Sequence, residues 1–322
     1  MTVARKTRKR IKRMLRRPFE WVGIGLGIVI LSSLPRRWML GVCDFVSAVM
    51  YRFDDKGRRR SLANLRVICG KVKTDGIVRP VAVYDPTKAE ERIIRRSYRN
   101  MARTVGHAFW TCRNAESRVK AAGEMSEAGK KFLAENKPAV TVSGHIGCWE
   151  ILSQLAFLEG HSMMSVAKDI GTGGMTKLLM KARTSIGQEI VHADGAFRPL
   201  MQGLKSGKSL GLLVDQVVDV RDGGIWVRFL GMPITVSAAP AFFSAKGKAP
   251  IVVAWSRPLS DGRYRCEVVA SYMPEDARDI RGMTQMCIRD LERIIRRHPS
   301  AWVLNYNYFR NVPDGKKECV CG

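Results

Sequence analysis

Apolar and polar positions along this chain repeat with two periods. Over residues 90–108 the apolar side chains Ile93, Ile94, Tyr98, Met101 and Val105 recur at helical spacing with basic residues between them, which predicts an amphipathic helix. The same period appears after Trp149 (Ile151, Leu152, Leu155, Ala156) and over 284–297, where Cys287, Ile288, Leu291, Ile294 and Ile295 form a core face. Further helices are expected at 175–186, 197–204 and 239–246. Short apolar runs rich in β-branched residues (139–142, 162–166, 210–214, 251–255 and 264–269) read as strands. Helices and strands alternating in this way predict an α/β domain with a mixed sheet flanked by helices. Residues 70–87, rich in Gly, Pro and Asp, are expected to form a loop or short hairpin.

The N-terminus breaks the pattern. Residues 1–17 hold nine Lys and Arg and no acid, directly before an apolar run at 19–34. A basic block against an apolar helix suits an anionic leaflet, each basic residue contributing on the order of 1 kcal/mol near the surface. The run of 16 residues is shorter than the roughly 20 of an ordinary span, so it either crosses a thin region or lies in the interface. Gly23 and Gly27 make a small-xxx-small pair able to dock on another helix, such as the apolar stretch at 38–51. Pro35-Arg36-Arg37 follows where a signal peptide would have small residues for cleavage. The expected division is therefore a basic N-terminus with membrane-associating helices (1–52), a catalytic domain (53–312) and a disordered tail (313–322).

Charge narrows the partners. With 55 basic and 29 acidic residues the formal charge is +26, which points to an anionic partner. A nucleic-acid role would need aromatic side chains among the basic ones, and residues 1–17 contain none. The eight cysteines are scattered without a C-x-x-C pair, which fits a reduced compartment better than a disulfide framework or a zinc site.

The stretch with the most chemistry is Thr141-Val142-Ser143-Gly144-His145-Ile146-Gly147-Cys148-Trp149-Glu150. It places His145 just past the carboxyl end of a strand, where open α/β sheets carry their sites. A neutral imidazole can take a proton from a hydroxyl while a carboxylate holds the other ring nitrogen. The turn at Gly147 gives Glu150 a route back to His145, so these two are the expected catalytic pair. Asp215 and Gln216 also follow a strand, and Asp215 is expected to anchor Arg183 or a loop amide, or else to cap a turn. Two near-motifs fail: Gly203 to Ser209 falls one residue short of a P-loop, and Gly207-Lys208-Ser209-Leu210-Gly211 fits a nucleophile elbow only formally. Both motifs need a strand before and a helix after, and here the order is reversed.

Gly144-His145-Ile146-Gly147-Cys148-Trp149-Glu150 resembles the G-H-x-G-x-W-E block of the bacterial lipid A late acyltransferases, of the lauroyl and myristoyl transferase type within the lysophospholipid acyltransferase superfamily. The resemblance extends through Arg183, Val214-Asp215-Gln216, Phe229-Leu230-Gly231-Met232-Pro233 and the segment from Leu291 to Trp302, in family order. The chain departs from the family at Leu304-Asn305-Tyr306-Asn307-Tyr308-Phe309-Arg310, where paired arginines are usual.

The resemblance implies an O-acyltransferase moving a fatty acyl chain from acyl-carrier protein to a hydroxyl of a lipid A precursor at the cytoplasmic face of the inner membrane, with another lipid acceptor as the alternative. It implies His145 and Glu150 as catalytic residues acting without an acyl-enzyme or a cofactor. Arg183, Asp215, Gln216 and Lys168 are the expected substrate-binding residues, with Arg183 either stabilising an oxyanion or clamping a phosphate. The remaining oxyanion donors are sought in the backbone amides between Gly144 and Gly147.

Overall fold

The computed structural model describes residues 25, 27, 29–72, 78–167, 180, 184 and 187–310. Lys168, Arg183 and the tail at 313–322 lie outside the described residues, as does most of the apolar run at 19–34.

The chain opens with α1 (Arg36–Phe53) and α2 (Asp55–Ile68), followed by α3 (Lys88–Trp110). Helix α3 begins with a reciprocal cap in which the Glu90 amide donates to Thr87 Oγ1 and the Thr87 amide donates to Glu90 Oε2. Helix α1 buries Met39, Cys43, Ser47 and Tyr51, one residue per turn. Gly106 of α3 allows this close approach, because a Cβ there would fall 2.2 Å from Cys43 Sγ.

The sheet then forms in the order β1-β9-β8-β2-β5-β3-β4. Its strands are β1 (Gly123–Met125), β2 (Val140–Ser143), β3 (Met163–Ala167), β4 (Glu189–His192), β5 (Ser209–Leu213), β8 (Ile251–Pro258) and β9 (Tyr264–Tyr272). All neighbours pair in parallel except β8 with β9, so the sheet is mixed, as expected. Helices α4 (Ala115–Ala122), α5 (Glu127–Glu135), α6 (Trp149–Leu158), α7 (Phe197–Lys205), α8 (Ala239–Gly247) and α9 (Ile280–Arg297) accompany it.

Both faces of the central strands are covered, which is why they read as unbroken apolar runs. Val140, Val142, Leu210, Leu212, Ile251 and Val253 point into one core with Phe243, Ile288 and Leu291. Val252, Ala254, Cys266 and Met163 point into a second with Met39, Cys43, Ile151 and Leu155. A separate hairpin, β6 (Gly224–Phe229) and β7 (Met232–Ser237), turns through Leu230 and Gly231. Both turn residues have positive φ, at 55° and 83°, as a two-residue hairpin turn of this hand requires.

The rejected near-motifs form the connection from α7 to β5. Gly207 turns there at φ 85°, and Ser209 Oγ is buried, accepting from the Ala139 amide and pairing with His161 Nδ1. Among the described residues no helix is long and apolar enough to cross a membrane, and the run at 19–34, expected to cross or to lie in the interface, falls mostly outside them. Gly23 lies outside the described residues, and a Cβ on Gly27 would meet none of the described residues within 4 Å.

Candidate active site

Strand register assembles the site. Ser143 at the end of β2 pairs with Leu213 at the end of β5 in parallel. Two residues beyond each of these positions stand His145 and Asp215, which therefore leave the sheet side by side. His145 Nδ1 lies 2.8 Å from Asp215 Oδ1, and the His145 amide donates to Asp215 Oδ2 at 2.9 Å. The Trp302 indole N–H donates to the same Oδ2 at 2.9 Å.

Asp215 is wholly buried. Burial alone would raise its carboxyl pKa, but the charge of His145 and the hydrogen bonds from the His145 ring, the Trp302 indole and the His145 amide outweigh it and hold the pKa below the ordinary aspartate value. An ionised carboxylate only accepts, so His145 carries its proton on Nδ1. In the neutral imidazole this makes Nε2 the bare nitrogen, and Gln216 Nε2 lies 3.3 Å from it. The ring of His145 also meets Trp149 edge-on at 5.0 Å.

This arrangement corrects two expectations. The carboxylate on Nδ1 is Asp215, not Glu150, and Asp215 is too deeply buried to touch a substrate. Glu150 instead sits in the first turn of α6, where the helix dipole favours a carboxylate, and accepts from the Trp149 indole at 3.0 Å. It lines the same cavity as His145 and Gln216.

The loop between β2 and α6 is held on three sides. The Gly147 amide donates to Ala301 O, and the Val303 amide donates to His145 O. The Cys148 amide donates to Ser256 Oγ, and Thr104 Oγ1 of α3 donates to Gly147 O. Gly147 has φ 64°, and a Cβ there would lie 1.7 Å from Ser256 O. Of the loop amides expected as oxyanion donors, those of His145, Ile146 and Gly147 have protein acceptors, as does that of Cys148. None of these four is left to receive an oxyanion.

Trp302 was legible only as a matching letter of a motif, with no role attached. Its ring stacks on Tyr308 with centroids 4.0 Å apart. The 304–310 segment, where the chain departs from the family pattern, folds against the site: Asn64 Nδ2 donates to Leu304 O and Tyr306 O, and Arg310 donates to Val217 O. Tyr306 and Arg310 line the cavity.

That cavity has a volume of about 1020 Å³. Met125, Leu133, Leu152, Ala156 and Met163 give it apolar walls, while His145, Glu150 and Gln216 supply polar groups. The described cysteines are all free. Cys148, three residues from His145, is fully buried, and burial pushes its thiol up to about 12. A histidine held by a buried carboxylate, at the ends of parallel strands and on a cavity with apolar walls, is the equipment of an enzyme that uses a general base.

The family model for bacterial lipid A biosynthesis acyltransferases matches residues 5–311, and the chain belongs to that family. It is accordingly an acyltransferase. No curated protein matches the chain.

Proposed function

We propose that this protein is an O-acyltransferase that moves a fatty acyl group from acyl-carrier protein to a hydroxyl of a lipid A precursor, with His145 as general base. The observation that carries this reading is the pairing of His145 Nδ1 with buried Asp215 at 2.8 Å: an ionised carboxylate there holds a proton on Nδ1, so that the neutral ring offers Nε2 to receive another.

In this mechanism the acceptor hydroxyl takes the place of the Gln216 amide opposite Nε2 and gives up its proton there. The alkoxide attacks the thioester carbonyl, the tetrahedral intermediate collapses, and the carbon–sulfur bond breaks. The imidazolium formed in the first step, stabilised by Asp215, returns its proton to the departing thiolate. No acyl-enzyme is formed, a reading supported by the burial of Cys148. With four loop amides committed, stabilisation of the oxyanion falls to the Gly144 amide and to side chains, among which Gln216 reaches the reacting nitrogen and Arg183 is the cation suggested by the family pattern. The apolar walls of the cavity accommodate an acyl chain.

A charge of +26 favours an acidic carrier protein as donor and a phosphorylated lipid as acceptor. It also favours residence on the anionic cytoplasmic face of the inner membrane. The test is mass spectrometry of lipid extracts from cells with and without the gene, joined to transfer from acyl-carrier protein by the purified enzyme. A gain in mass on a phospholipid or aminolipid in place of a lipid A precursor would move the acceptor to another lipid class and leave the chemistry standing.

A further inference from the structure

Helix α1 has two different faces. Met39, Cys43, Ser47 and Tyr51 are buried against the fold, while Trp38, Val42, Phe45, Val46, Val49 and Phe53 form a row on the opposite side, recurring at helical spacing. Phe45 is 71% exposed, Phe53 79% and Trp38 61%. Single exposed apolar side chains are ordinary, but a continuous row of them marks a binding surface. At 1.5 Å per residue the row extends about 23 Å.

Charge identifies what it binds. The sole carboxylate of α1, Asp44, is turned onto Arg103, with contacts of 2.7 Å to both of its oxygens. Exposed Arg37 and Arg52 stand at the two ends of the row, and the Arg52 guanidinium lies 5.8 Å from the Phe53 ring centre. The chain ahead of the helix carries nine basic residues in its first 17. Within the described residues the preceding segment does not cover the row: Leu31 and Leu34 pack into the second core, and Leu34 O and Ser32 O accept from Trp110 and Arg118.

We propose that the outer face of α1 lies in the interfacial layer of a bilayer with anionic headgroups, its axis along the surface and its arginines at the phosphates. The helix lies in the layer and does not cross it, because its inner half is committed to α3. The choice of lipid as occupant rests on the membrane-bound reading above; the exposed face itself does not. Because α3 also holds the catalytic loop through Thr104 and the segment after α9 through Ser97, this surface stands one helix away from His145.

The experiment uses the full chain with Phe45→Asp and Phe53→Asp together, floated with vesicles of phosphatidylglycerol and phosphatidylethanolamine. Each phenylalanine withdrawn from an apolar phase changes partition by roughly tenfold or more, so the pair should lower vesicle binding at least that far. Val83→Asp with Met273→Asp, exposed apolar positions elsewhere, should leave it unchanged. Turnover of detergent-dispersed substrate should be the same in all three proteins. To isolate α1 from the basic N-terminus, Phe45→p-benzoylphenylalanine is irradiated on the same vesicles, with a phospholipid adduct expected, and none from Val83→p-benzoylphenylalanine. Unchanged flotation of the α1 pair, or a crosslink from position 45 to a second copy of the chain in place of lipid, would overturn the proposal. Failure of the wild type to acylate a lipid A precursor would bear on the acceptor alone, since neither binding readout involves turnover.

Discussion

His145 and Asp215, seventy residues apart in sequence, share two hydrogen bonds, one from the imidazole ring and one from the backbone amide of the same histidine. The carboxylate thus fixes both the rotation of the ring and the path of the loop that carries it. Asp215→Asn keeps the shape but can present an N–H to Nδ1, which favours the tautomer with its proton on Nε2. The expected loss in kcat/KM is about 10²- to 10⁴-fold, the usual range for a disabled general base. Transfer assays with the folded variant beside Glu150→Gln check this. A Glu150→Gln enzyme more impaired than Asp215→Asn would return the orienting role to Glu150.

Trp302 acts through Asp215. In Trp302→Phe the stack on Tyr308 can persist while the indole donor is lost, removing a hydrogen bond to a buried charge that is typically worth about 1.5–3 kcal/mol. A carboxylate with one donor fewer is more basic and holds the His145 imidazolium more tightly. The acid limb of the kcat/KM profile should therefore move to higher pH, with KM little changed. A variant that loses stability yet keeps the wild-type pH profile would reduce Trp302 to a packing residue.

His107 governs part of the acid stability. It is fully buried, neither ring nitrogen has a hydrogen-bond partner among the described residues, and burial, with help from Arg36 and Arg103, pushes its pKa down to about 3. In the unfolded chain the ring takes a proton near pH 6.5; in the folded protein it stays neutral down to about 3. Its contribution is thus complete above 6.5 and is lost as pH falls toward 3, at up to about 1.4 kcal/mol per pH unit. Urea midpoints measured between pH 7.5 and 4 should fall less steeply for His107→Phe than for the wild type. Parallel slopes would mean that His107 already protonates in the folded protein.

Gly147→Ala and Gly207→Ala separate two costs of a glycine. Both residues have positive φ, but a Cβ on Gly207 meets open space, whereas one on Gly147 meets the Ser256 carbonyl. Gly207→Ala should cost about 1–2 kcal/mol, the left-handed penalty alone. Gly147→Ala should cost clearly more and lower activity as well, because the loop must move. Equal shifts in the melting temperatures of the two variants would contradict the close contact.

Much of this architecture is legible in the sequence, because strands buried on both faces are written as apolar runs and helices as a 3.6 period. Expected strands at 210–214 and 251–255 and helices at 197–204 and 239–246 lie within a few residues of their observed limits. His145 was found from its place after a strand. Its partner is not legible from proximity along the chain: Glu150 is five residues away, but the carboxylate beside the ring in space follows a neighbouring parallel strand. Strand order is a tertiary property that no local pattern encodes. Trp302 was hidden for the same reason, since it reaches Asp215 from the segment after α9, and the loop amides showed no sign in the sequence of being already engaged.

The clamp on the catalytic loop also has a consequence for biosynthesis. The acceptor for the Gly147 amide is Ala301, the donor to His145 O is Val303, and the indole on Asp215 belongs to Trp302. These residues follow both His145 and Asp215 in the chain, so a growing chain holds β2, β5, His145 and Asp215 before it holds the segment that clamps the loop. Chains cut short after α9 would keep most of both cores and the His145–Asp215 pair but lack the contacts from Ala301, Trp302 and Val303. A clamped catalytic loop is thereby reserved for chains that have been translated past Val303.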